Sequence, residues 1–132
     1  MKRLAILFSC LFALSTGASA TSDFNKVWKA EYTKGDDVDA DFKKVARKAG
    51  CFVCHVKGEK KTSRNEYGTA VSEFLNKDDF PKEYIRASPD EAKAKILEGI
   101  KKANDKKSAD GRKFGEKLEA NELPATDAKL EG

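Results

Sequence analysis

Beyond residue 20 this chain is short of the side chains from which a core is built. Residues 21–132 hold 39 apolar residues in 112, about 35%, where soluble domains usually reach roughly 45–50%, a share that also counts Gly. A single small domain of this make-up needs help from disulfides, a metal or a cofactor. The apolar residues it has recur at helical spacing. Phe24, Val27, Trp28 and Tyr32 fall at i, i+3, i+4 and i+8, which predicts a short helix behind Ser22 or Asp23. Val38, Phe42, Val45, Ala46 and Ala49 make a second stripe, with Asp36, Asp37, Asp39 and Asp41 ahead of it. Lys43, Lys44, Arg47 and Lys48 lie toward its end and Gly50 follows. Acid first and base last complement the helix dipole, and a terminal Gly suits a helix stop.

Later segments read the same way. Residues 56–68 are polar and predict a loop, and residues 69–76 carry Ala70, Val71, Phe74 and Leu75 in a short helix. A further turn or short helix is expected from Asp79 to near Arg86. Ser88-Pro89-Asp90-Glu91 has the form of a capping box with Pro in the first turn. Behind it Ala92, Ile96, Ile100 and Ala103 line one face, with Leu97 at the edge, for a helix over 89–104. Residues 105–113 predict a charged loop, Phe114 and Leu118 one more short helix, and the chain beyond Pro124 a loose tail. No internal repeat and no alternating strand pattern is present. The expected class is all-α.

The first 20 residues form a separate unit. Met1, Lys2 and Arg3 give a basic start, residues 4–14 an apolar run, and Ala18-Ser19-Ala20 a small-residue end. This is the order of a secretory signal peptide cut after Ala20. The apolar run of eleven residues is far below the roughly 20 needed to span a bilayer. Cys10 sits inside that run with Phe8 two residues before it, a poor context for lipidation. Export to the periplasm is the expectation. The full chain has 26 Lys+Arg against 22 Asp+Glu; without the leader's two basic residues the excess is +2, too weak to point to nucleic acid. Charged residues at 36% and a mean hydropathy of −0.65 leave no room for a polytopic membrane protein.

Cleavage would leave two cysteines, Cys51 and Cys54, and one histidine, His55, all in Cys51-Phe52-Val53-Cys54-His55. C-x-x-C-H is the attachment signature of c-type haem. On a helical turn i, i+3 and i+4 share a face, so two thiols and an imidazole can address one flat cofactor. A C-x-x-C pair can also be a thiol–disulfide redox site, but that fold needs a βαβ sheet. Zinc needs four ligands in a structural site, and two Cys with one His fall one short unless a carboxylate joins.

The chain thus resembles the monohaem c-type cytochromes. It shares a signal peptide, a helix running into Cys51-x-x-Cys54-His55 and a later amphipathic helix at 89–104. The resemblance implies one covalent haem c, bonded through Cys51 and Cys54, with His55 as axial iron ligand, inside a small helical domain wrapped around the haem. It implies that the helix at 38–49 crosses a C-terminal helix, with Phe42 against Ile96, Leu97 or Ile100. The expected organisation is a cleaved signal peptide at 1–20, a haem domain at 21–125 and a flexible tail at 126–132. Redox proteins and the haem-attachment machinery are the implied partners.

One departure from the family is plain. Its carriers often complete the iron with a Met or a second His, yet here the only Met is Met1 and the only His is His55. Within a mature chain the sixth position is therefore open or holds water, is filled by a lysine or the amine of Thr21, or is approached by Asn or Tyr without strong ligation. Lys106, Lys107, Lys113 and Lys117 lie where the family's Met usually sits, but each reads rather as a solvated surface charge. Arg64, Asn65 and Tyr67 follow the motif where such domains often hold haem propionates; an ordinary polar loop is the other reading. Trp28 either covers a haem edge or packs in the core. The lysines of 93–107 give a basic helix side, either a docking patch or a solvated face. Three functions follow: a single-electron carrier with no catalytic residues, a haem protein whose open distal site binds a small ligand as a sensor or weak peroxidase, and a haem-free thiol–disulfide module.

Overall fold

The computed structural model describes the backbone of residues 20–130 and side chains from Ser22; apart from Ala20, the expected signal peptide lies outside the described residues. Among the described residues six α-helices follow one another: α1 (Ala20–Tyr32), α2 (Ala40–Ala49), α3 (Glu66–Phe74), α4 (Lys82–Ala87), α5 (Pro89–Asn104) and α6 (Phe114–Glu119). Tight 3-10 turns stand at Gly50–Val53 and Lys77–Asp79. Two isolated β-bridges, His55 to Arg64 and Lys107 to Lys113, are the extent of strand pairing among the described residues. The chain is all-α. No described helix is long and apolar enough to cross a membrane.

Caps set the helix starts. Asp39 opens α2 by accepting from the amides of Asp41 and Phe42, each at 2.9 Å, which satisfies two of the first-turn donors. Helix α3 begins three residues earlier than its apolar pattern suggests, because Asn65 caps it by accepting from the Gly68 amide at 2.8 Å. The box at Ser88 does not form. Ser88 also ends α4, its amide donating to Tyr84 O at 2.9 Å, and with φ −137° and ψ 64° its side chain makes no cap bond. Pro89 still opens α5, and Asp90 and Glu91 occupy its first turn.

Helix α5 is the central element. Its buried face, Ala92, Ile96, Gly99, Ile100 and Ala103, is the stripe read from sequence, and it packs mainly on α3 and α1. Phe42, Ile96 and Ile100 belong to one core cluster, but α2 lies chiefly against the turn that follows it, and the expected crossing with a C-terminal helix is not among the main helix contacts. Trp28 is a core residue at 2% exposure, its ring 5.6 Å from that of Tyr32. The lysines of α5 are largely paired: Lys95 with Glu91, Lys102 with Glu98 and Lys101 with Glu31, and just beyond the helix Lys106 pairs with Glu73. That side is a solvated face.

Two segments differ from their sequence reading. Residues 126–130 were expected to trail loose, yet Lys57 N donates to Ala128 O at 3.0 Å, Lys129 pairs with Glu59 at 2.8 Å, and Ala128 is buried. The anchor is Glu66, whose carboxylate accepts from Ser108 Oγ, the Ala109 amide, and the amide and hydroxyl of Thr126, all at 2.6–2.8 Å. Lys117, read as a surface charge, is only 3% exposed; its Nζ lies 3.2 Å from Asp110 Oδ2 and 3.4 Å from Ser108 Oγ. Its α6 neighbours Phe114 and Leu118 are buried, so the same face carries the lysine stem inward.

Candidate functional site

The site begins where α2 stops. Gly50 adopts φ 55° and ψ −120°, a conformation that favours glycine, and turns the chain from the helix into Gly50–Val53. Asn25 Nδ2 of α1 donates to Gly50 O at 2.8 Å and holds that junction. The amides of Cys54 and His55 both donate to Cys51 O at 3.2 Å. The three motif residues are therefore on one closed turn. Cys51 is exposed, Cys54 and His55 are half-buried, and Val53 points into the core.

The loop after the motif returns to it. Val56 N donates to Ser63 O at 3.3 Å and Ser63 N to Lys60 O at 2.8 Å. His55 Nδ1 lies 3.3 Å from the same Ser63 carbonyl. In the tautomer that donates this bond, Nε2 keeps its lone pair, which is the arrangement a metal-ligating histidine needs from its second nitrogen.

Beneath the turn lies Asn65, fully buried. Its Nδ2 is 3.1 Å from Phe52 O, 3.0 Å from Val53 O and 3.4 Å from His55 O, while its backbone amide donates to Cys54 O at 3.1 Å. Three carbonyls surround the nitrogen and an amide N–H meets the oxygen, so the network fixes the orientation of the side-chain amide. Gly68 completes the seat: a Cβ built there would lie 1.9 Å from Cys54 O. Only glycine lets α3 approach the motif backbone this closely. Tyr67 is fully buried, with its hydroxyl donating to Asn104 Oδ1 at 2.9 Å and Asn104 Nδ2 donating to Tyr32 at 2.6 Å. Asn65 and Tyr67 are thus committed to the protein's own backbone and core, not to a propionate; Arg64 alone of the three is exposed.

The thiols are unbridged. Burial, with a smaller contribution from Cys51, pushes the Cys54 thiol up to about 12, against the opposing pull of Arg64. The thiol–disulfide reading wants a βαβ sheet, and strand pairing among the described residues stops at two isolated bridges. Among the described residues no three His, Cys, Asp or Glu side chains converge as a metal-holding group. Zinc needs such a set, whereas haem c takes only the histidine at iron and bonds the thiols at the porphyrin edge. A groove of about 620 Å³ lies elsewhere, lined among others by Phe74, Leu75, Phe80, Tyr84 and Gly99, and borders none of the motif residues.

No family model, curated protein or solved structure matches this chain. The reading of the site therefore rests on its residues. Sequence alone missed Gly68 and the clamp role of Asn65. The available signal was Asn65 three residues ahead of Gly68, a cap followed by the smallest residue where a helix starts beside the motif.

Proposed function

We propose that this chain is an exported monohaem c-type cytochrome that carries single electrons between redox partners. The observation that carries the reading is the closed turn of Cys51, Cys54 and His55, with His55 Nδ1 on Ser63 O and Nε2 left for a metal. Attachment through Cys51 and Cys54 is an addition: each S–H adds across a vinyl group, forming a C–S bond while the hydrogen goes to the neighbouring carbon. His55 would ligate iron through Nε2. Haem in this position supplies a one-electron couple, and the protein's part is to hold the ligand's tautomer, anchor the ring and present the edge near Cys51.

Arg47, Lys48, Lys57, Lys60, Lys61 and Arg64 flank the motif in the chain and are exposed. None of them has an ion-pair partner among the described residues, in contrast to Lys95, Lys101 and Lys102 on α5 and Lys106 just after it. Unpaired cations steer acidic partners at a distance, with an effect that salt weakens. An acidic redox protein is the partner this end of the molecule suits.

A second reading, a haem protein that binds a small distal ligand, is favoured by the fate of the candidate sixth ligands. Lys106, Lys113 and Lys117 are each held in an ion pair, leaving Lys107 of that group without one. Without a Met ligand the potential falls, since Met ligation raises it. The expected results are a single-electron redox titration with a midpoint below that of Met/His cytochromes, and rapid CO binding to the reduced protein. A midpoint in the Met/His range would contradict the ligation proposed. A CO-indifferent low-spin spectrum would show a strong sixth ligand and exclude the small-ligand reading.

A further inference from the structure

We propose that residues 126–130 form a strap that positions the loop at 56–63 and, through Ser63, the imidazole of His55; the role given to His55 rests on the haem reading above. The loop has little of its own to order it. Lys57, Gly58, Glu59, Lys60, Lys61 and Thr62 are all exposed, and Val56 is its one buried member. A segment with so little buried apolar surface opens easily unless something else holds it. Yet its Ser63 carbonyl has a fixed task. It accepts from the Val56 amide and lies 3.3 Å from His55 Nδ1, a contact that fixes the tautomer and the ring orientation of a metal-ligating histidine.

The strap ties both ends of that loop. Past the far end, Thr126 donates through its amide and its hydroxyl to Glu66 Oε1 at 2.7 and 2.8 Å, and Asp127 accepts from the Glu66 amide at 3.0 Å. At the near end, Ala128 O accepts from Lys57 N at 3.0 Å, and Lys129 Nζ lies 2.8 Å from Glu59. The exposed Lys129–Glu59 pair contributes little by itself; the backbone bond at Lys57 and the anchor at Glu66 carry the tie. Burial fastens the strap in place, with Ala128 5% exposed and Leu130 packed against the core. Between them Lys129 adopts φ 54°, a conformation uncommon outside glycine, so this bend is held by the contacts on either side. Thr126 and Ala128 are therefore positioning residues. They hold the loop whose carbonyl orients the imidazole.

The test is a length series made with a haem-attachment system. A chain ended after Leu130 keeps the strap, and one ended after Ala125 loses it. Hydrogen exchange of the Val56 amide, which bonds to Ser63 and not to the strap, should rise severalfold in the shorter chain and hold in the longer. The reduced protein under CO gives a second readout, since low-spin ferrous iron is diamagnetic whether CO or a protein group fills the sixth position. In its NMR spectrum the His55 Nδ1 proton should exchange severalfold faster once the strap is gone. A core variant of full length, I96V or I100V, matched in lost unfolding temperature, should leave both protons protected. Equal acceleration in that variant would mean that the strap acts through stability alone and would overturn the proposal, as would unchanged protection in the chain ended after Ala125. Should that chain fail to fold, exchange in the wild type decides. The Thr126, Lys57 and Val56 amides should then open together and faster than the core amides of α5; a Val56 amide that stays closed while Thr126 exchanges would contradict the strap. If the chain bonds no haem, the haem reading fails by itself, and the Val56 amide still decides whether 126–130 orders the loop.

Discussion

Replacing Gly68 with alanine should destabilise the domain by about 3 kcal/mol, at the upper end for overpacking a closed site. The added Cβ would stand 1.9 Å from Cys54 O and 2.8 Å from Cys54 C. Both are backbone atoms of a turn bonded on two sides, so relief requires α3 to lift from the motif. Gly99 provides the contrast. A Cβ there would meet Leu75 Cδ2 at 2.4 Å and Cγ at 2.5 Å, atoms of one side chain, which must move as a whole but can do so without shifting a backbone. Alanine also recovers about 1 kcal/mol of helix propensity inside α5. Gly99→Ala should therefore cost less than Gly68→Ala, about 1–2 kcal/mol. Urea unfolding of the two variants compares them directly, and equal losses would show that the approach of α3 to Cys54 is not as close in solution.

The second large effect belongs to Glu66. Its carboxylate joins α3 to the 105–113 loop and to the C-terminal stretch, and Asp127 accepts from its amide at 3.0 Å. Burial raises the Glu66 carboxyl, but the bonds from Thr126 N, Ser108, Ala109 N and the Thr126 hydroxyl outweigh it and leave the group below the usual glutamate range. A lowered native pKa means stability that is full above the ordinary glutamate value and lost as pH falls through the native one. Glu66→Gln keeps the size and one acceptor oxygen but turns an NH₂ toward donors. Hydrogen bonds to charged groups contribute about 1.5–3 kcal/mol, so a loss of about 2–3 kcal/mol is expected at neutral pH. The gap to wild type should close as the pH falls below the ordinary glutamate range and the wild-type carboxylate gains its proton. A gap that persists unchanged in acid would mean the effect is one of shape and not of charge.

Much of the fold was legible because its signals are local. The stripes at 24–32, 38–49 and 89–104 are helices, since amphipathic spacing decides which face is buried whatever it is buried against. The motif was legible for a different reason: Cys51, Cys54 and His55 exhaust the reactive residues left beyond residue 20. What sequence did not reveal depends on partners far along the chain. Ser88 reads as a cap, but the helix before it claims its backbone. Residues 126–130 look loose until Glu66, 60 residues away, is seen to hold Thr126. Lys117 looks solvated until Asp110 and Ser108 are beside it. Asn65 and Tyr67 look like polar loop residues free to meet a ligand, yet four carbonyls, one glycine amide and Asn104 engage them. Spacing shows which residues share a face; it does not show which distant groups complete their hydrogen bonds.

The most direct measurement is the pyridine haemochrome spectrum of the full chain made with a haem-attachment system, taken before and after acid–acetone extraction. One haem per chain that resists extraction, with a band position set by two thioethers and its loss in the C51S/C54S variant, is the result expected. Protein free of haem, or haem that extracts completely, would contradict the account.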